Sequence, residues 1–192
     1  MCRECLPDKE KAAGLACLAF AEDFAIVDAG SGAIPWLAVC LPSHWAPEKK
    51  VGRPFTEVHA PVADNELLLK AAAGLLRVVT GPDTWERFVW TVTDHTWLHA
   101  HPARSDPQRW QRTLDQGAWF RSEHQSFIPL PAQAQAVFTI HVQLQALADV
   151  AADPRRASAL HDAVASMSPA VLDYRGLAPV RDALLAWLAQ RR

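Results

Sequence analysis

Apolar and polar positions follow two different periods along this chain, and the change of period divides it. Phe88, Trp90 and Val92 alternate with Val89, Thr91 and Thr93, and Phe138, Ile140 and Val142 repeat the same period of two, so both segments are predicted strands with one face inward. Residues 119–127 have the same strand-like character. Two short apolar runs, 24–27 and 34–41, are predicted strands separated by the turn signal Ala29-Gly30-Ser31-Gly32, the second closed by Pro42. Residues 12–20, rich in alanine and leucine, predict a helix that Glu22-Asp23 ends. A further helix is predicted over 67–79, between the acidic and capping residues Asp64-Asn65-Glu66 and the stop Thr80-Gly81-Pro82. Its charges are Lys70 and Arg77, so burial against a sheet is expected.

From Ala146 onward the period becomes helical. Asp153-Pro154 opens a helix bearing Leu160, Ala163, Val164 and Met167, and Ser168-Pro169 opens a shorter one. Pro179 opens the last, with Val180, Leu184, Trp187 and Leu188 on one stripe. These elements predict one α+β domain over 1–192: an N-terminal helix within 1–21, a sheet core over 22–142 and a helical C-terminal region over 143–192. Residues 42–61, rich in proline, glycine and charge, are expected to be a long loop, a kind of segment that often carries function. Trp36, Trp90 and Phe138 are expected in the core or in a pocket wall.

Charge narrows the functional classes. Nineteen basic against 21 acidic residues, net −2, provide no basic field for a nucleic acid or an anionic membrane. No apolar stretch approaches the ~20 residues that span a bilayer. Met1 is followed by Cys-Arg-Glu-Cys rather than a basic region and an apolar core, so the protein is expected to be cytoplasmic. Cys2 and Cys5 form a CxxC without a second one to complete a zinc site, and Cys17 and Cys40 stand apart in apolar surroundings. Hydrolase, dinucleotide and phosphate-loop motifs are absent from the sequence.

The eight histidines are the most informative reactive residues. His44 and His59 bracket the long loop; taken bare, either suits a hydrogen-bonded structural role as well as a ligand role. His59 differs in having Pro61 two positions on and apolar neighbours, and a neutral imidazole in an apolar wall is what a haem iron requires. His95, His99 and His101 form a second group, with no cysteine or carboxylate evident to complete a metal site. Arg121, Glu123 and Gln125 share one face of a predicted strand, as a solvated ion pair or as a cofactor-facing row.

Seven short blocks, in order, resemble the alpha subunit of the haem-dependent oxidative N-demethylases. They are Glu22-Asp23-Phe24, Leu41-Pro42-Ser43-His44-Trp45, Lys50-Val51-Gly52-Arg53-Pro54, Val58-His59-Ala60-Pro61-Val62, Arg121-Ser122-Glu123-His124-Gln125, Leu130-Pro131 leading to Val137-Phe138-Thr139-Ile140, and Tyr174-Arg175-Gly176-Leu177. The resemblance implies a PAS-like antiparallel sheet holding b-type haem and oxygen-dependent dealkylation of a small amine. It further implies electrons delivered by separate flavin and iron–sulfur partner modules, through a reductase partner. By the same resemblance His59 is the axial ligand, and Lys50, Arg53 and Arg121 bind or steer the haem carboxylates. The chain departs from the family pattern at His124 and the neutral run Ser126-Phe127-Ile128-Pro129, and again at His141, where arginines are expected, and fewer than the expected number of residues precede Glu22. Loss of those arginines makes a non-catalytic PAS-like binding or sensor module the alternative function.

Overall fold

The computed structural model describes residues 8–104, 110, 114 and 117–192. Helix α1 (Asp8–Ala19) leads into strands β1 (Asp23–Asp28) and β2 (Trp36–Ala38), followed by three short helices, α2 (Phe55–His59), α3 (Glu66–Lys70) and α4 (Ala72–Val79). Three long strands come next, β3 (Trp85–Thr93), β4 (Trp119–Leu130) and β5 (Gln135–Ala146). The chain ends in α5 (Leu147–Val150), α6 (Pro154–Ala165), α7 (Pro169–Arg175) and α8 (Arg181–Ala189). All pairings are antiparallel, in one sheet of order β2-β1-β5-β4-β3. The fold is therefore α+β with a helical C-terminal region, as the two periods predict.

Three elements differ from expectation. The apolar run 34–41 pairs with β1 only from Trp36 to Ala38. Pro35 has no N–H to donate, and beyond Ala38 the N–H groups of Cys40 and Leu41 donate to the Asp23 carboxylate, at 2.6 and 2.9 Å, instead of to a strand. The helix expected over 67–79 is interrupted at Ala71 (ψ −3°), and of its apolar side chains only Leu76 is buried. The expected loop 42–61 contains a 3-10 turn at Pro47–Lys49 and the helix α2, so His59 ends a helix rather than lying on a loop. The Cys2-Cys5 pair lies outside the described residues.

Side-chain alternation gives the sheet two unlike faces. On one, Trp90, Val92 and Phe120 meet the C-terminal helices, whose Leu147, Leu160, Val164, Leu172, Leu184 and Leu188 form the apolar core. Two caps predicted from sequence hold these helices: Asp153 accepts from the Arg155 N–H at 2.9 Å and Ser168 from the Val171 N–H at 3.2 Å. The other face carries Ala25, Ile140 and Val142 but also Asp23, Arg121, Glu123 and Gln125, all buried. Trp90 belongs to the margin of the core and is half-buried; Trp36 and Phe138 are half-buried as well, Phe138 stacked on Phe127 at 4.5 Å.

Candidate functional site

His59 is set by contacts within its own short helix. Its Nδ1 lies 2.8 Å from the Phe55 carbonyl oxygen, and its ring stacks on the Phe55 ring at 4.0 Å between centroids. A carbonyl only accepts, so Nδ1 carries the proton and Nε2 keeps its lone pair. Burial holds the imidazole below its ordinary pKa; the bond to Phe55 opposes that shift, and the positive charges of Arg87 and Lys50 reinforce it. The ring is neutral at pH 7, with one nitrogen available.

The C-terminal end of α2 is tied down by two side chains. Lys50 Nζ donates to the Val58 carbonyl at 2.5 Å, and Asn65 Nδ2 donates to the carbonyls of His59 and Ala60 at 3.2 and 2.8 Å. A cation and an amide there satisfy carbonyls that the helix leaves without partners. At the other end, Phe55 abuts the β1–β2 turn: a Cβ placed on Gly32 (φ +65°) would lie 2.8 Å from Phe55 Cβ and 3.4 Å from Leu76. The turn, α2 and α4 therefore meet around the residue on which His59 stacks.

Across the sheet runs a polar row. Arg87 Nε donates to Gln125 Oε1 at 2.6 Å, and Gln125 Nε2 donates to Glu123 Oε2 at 2.6 Å. Arg121, 1% exposed, donates to Ser43 Oγ (2.9 Å) and to the carbonyls of Trp97 (2.9 Å), Leu98 (2.7 Å) and Leu41 (3.4 Å). Burial lowers the Arg121 pKa, and the charges of Glu123 and Asp23 counter it. Asp23 is pushed upward by its own burial, partly offset by the N–H groups of Cys40 and Leu41.

Among the residues singled out from sequence, the structure brings together His59 and Lys50. Arg53 is exposed and paired with Glu57 at 3.0 Å. Arg121 is sequestered among the segments that carry His44 and Trp97. His44 adopts a left-handed backbone (φ 63°), with its ring 5.9 Å from that of His95, which stacks on Trp97 at 5.2 Å. His101 Nε2 lies 3.2 Å from Glu48. Two open grooves, one lined by Leu98, Trp119 and Val142 and the other by Cys40, His99 and His101, do not include His59. Sequence reasoning missed Arg87 and Asn65, whose roles depend on strand register and on a returning loop.

Comparison with known families bears on which chemistry this arrangement serves. The family model described as haem-dependent oxidative N-demethylase, alpha subunit-like, matches residues 3–185. The chain belongs to this family. The match spans the sheet, the segment bearing His59 and most of the C-terminal helices. The description of this N-demethylase-like family names an alpha subunit, which implies a system of more than one subunit. No helix among the described residues is long and apolar enough to cross a membrane.

The chemistry of His59 is that of a haem-iron ligand. Among the described residues no three histidine, cysteine or acidic side chains gather as a metal cage, but a porphyrin brings its own four nitrogens, so one neutral imidazole suffices. A ligating histidine characteristically donates its other N–H to a carbonyl, which fixes tautomer and ring orientation. His59 has that arrangement.

Proposed function

We propose that this chain is the haem b-binding subunit of an oxidative N-demethylase-like system, acting on a small amine with oxygen. The observation that carries the reading is His59: neutral, oriented by the Phe55 carbonyl and ring, with Nε2 available. Lys50 and Asn65 hold the helix end from which it projects. Leu68, Leu69 and Leu75 on α3 and α4 are only half-buried, and α4 also carries Leu76, which lies with Phe55 against the β1–β2 turn. The order β2-β1-β5-β4-β3, with helices inserted between β2 and β3, supports reading the sheet as PAS-like.

What haem supplies when bound is electron transfer and oxygen chemistry. The chain's own residues have other tasks: His59 ligates and orients, the apolar helices exclude water, and the row Arg87-Gln125-Glu123 presents oriented polar groups beside them. Electrons come from separate flavin or iron–sulfur modules in a partner. Two of the departures from the family pattern, His124 and His141, face each other across β4 and β5 on the side of the sheet opposite to Arg87 and Gln125. These two histidines lie away from the row Arg87-Gln125-Glu123, whereas Phe127, in the neutral run 126–129, lies on its face. The test is reconstitution: the wild-type protein takes up one equivalent of haem with a histidine-ligated Soret band, and His59→Ala does not. Uptake with an unchanged spectrum in His59→Ala would overturn the assignment.

A further inference from the structure

We propose that Cys17 and Cys40 are a redox-modification site, two thiols that a hydroperoxide converts to a disulfide joining α1 to the edge of the sheet. The sequence sets these cysteines apart, but the fold brings them together. Helix α1 lies along β2: near its start the Lys9 carbonyl accepts from Trp36 Nε1 at 3.4 Å, and just past its end the Phe20 ring meets the Phe24 ring at 5.2 Å. Because β1 and β2 are antiparallel, with Phe24 opposite Ala38, the end of α1 arrives where β2 ends. The lengths agree: the eight residues from Lys9 to Cys17 rise about 12 Å in a helix, and the four from Trp36 to Cys40 extend about 13 Å. Cys17 falls on the less exposed side of α1 with Ala13 and Ala16, and its thiol is hydrogen-bonded to Cys40.

Cys40 is fixed from the other side. Its N–H donates to Asp23 Oδ1 at 2.6 Å, and its side chain is exposed on the wall of the open groove that His99 and His101 also line. The two thiols differ in role. Burial first, then the bond to Cys40 and the charges of Cys40 and Asp23, push the Cys17 pKa up to about 12, so half-buried Cys17 stays a thiol at neutral pH. Exposed Cys40 is the sulfur that meets the oxidant. It attacks the O–O bond of hydrogen peroxide, becomes a sulfenic acid and releases one water. The Cys17 sulfur then attacks the sulfenic sulfur; the S–S bond forms, and the departing hydroxyl leaves with the Cys17 proton as a second water. Two electrons pass from the sulfurs to the peroxide, and a dithiol restores them by exchange. No side chain of α1 is fully buried, so little apolar burial holds the helix in the reduced protein, and the disulfide fixes its last turn to the sheet.

The experiment treats the full chain with hydrogen peroxide, alkylates the remaining thiols and cleaves after glutamate, which puts each of the four cysteines on its own peptide. Mass spectrometry is expected to find the Cys17 peptide joined to the Cys40 peptide, and to find the two separate again after dithiothreitol. Hydrogen exchange of the α1 amides should slow roughly tenfold in the oxidised protein, since the helix can no longer undock from the sheet. Cys17→Ser should leave a Cys40 sulfenic acid that dimedone traps, whereas Cys40→Ser should leave Cys17 unlabelled. The wild-type readouts decide whether or not these variants fold. Alkylation of both Cys17 and Cys40 after peroxide overturns the proposal, as does a Cys40 that pairs with Cys2 or Cys5 instead. A Cys17–Cys40 bond that leaves exchange in α1 unchanged overturns the assigned tie between helix and sheet.

Discussion

The Nδ1 of His59 and the carbonyl oxygen of Phe55 lie 2.8 Å apart across one turn of α2, and the two rings stack. The pair has a pH signature. Burial, the leading cause, holds the folded imidazole below its ordinary value of 6.5. As pH falls through 6.5, the unfolded chain takes up a proton that the folded chain refuses, so stability falls until the folded pKa is reached. Urea midpoints measured between pH 5 and 8, a window set around the reference imidazole value, should decline toward acid less steeply in His59→Gln than in wild type. Parallel profiles would mean that His59 is not buried neutral.

Gly32 cannot be replaced without moving Phe55. Its φ of +65° already costs a side-chain-bearing residue about 1–2 kcal/mol, and the added Cβ would lie 2.8 Å from Phe55 Cβ. Gly32→Ala should therefore lower the unfolding midpoint and weaken haem uptake together, because the displaced residue is the one on which His59 stacks. A variant with wild-type stability and wild-type uptake would show that the turn and α2 are not in contact.

Arg121 is a structural cation in this fold as well as a candidate site residue. Arg121→Ala strands the carbonyls of Trp97 and Leu98 and leaves Glu123 without its compensating neighbour, a loss of about 3–5 kcal/mol for breaking a buried charge arrangement. Arg121→Lys should recover little, since an ammonium cannot span four acceptors in different directions. Denaturant unfolding measures both, and a cost below about 1 kcal/mol for the alanine variant would contradict the assigned role.

The C-terminal core should answer to cavity formation. Leu184 is fully buried, and Leu184→Ala is expected to cost about 2–5 kcal/mol. Trp90 is half-buried, stacks on Phe120 and carries the Arg175 guanidinium over its ring, so Trp90→Ala should cost about 3 kcal/mol, the low end for an aromatic truncation. Leu67, 78% exposed, is the control: Leu67→Ser should change stability by less than about 0.5 kcal/mol. Comparable losses at Leu67 and Leu184 would place the core elsewhere.

Period, caps and turn residues sufficed to place the long strands β3, β4 and β5 and the C-terminal helices, because those signals are local. Asp153 and Ser168 cap where their side chains imply, and Arg121, Glu123 and Gln125 share a face because strand geometry leaves them no choice. The boundaries of β2 were not legible: its end is decided by the Asp23 carboxylate, 17 residues from Cys40, which takes the N–H groups that a longer strand would use. Nor does the helix α2 announce itself in a stretch broken by prolines and glycine.

The sequence by itself determined the fold class, the family and the candidacy of His59, since residue type, local period and short blocks carry that information without knowledge of what lies nearby. Only the tertiary structure decided what each basic group contacts. Lys50, Arg53 and Arg121 look equally available in the sequence, yet each is engaged by a partner, Val58, Glu57 or the Leu98 carbonyl, that folding brings within reach. Arg87 looks like an ordinary edge-strand residue until register sets it opposite Gln125. Register and loop return are long-range choices, made by the burial of whole faces, and no window of neighbouring residues contains them.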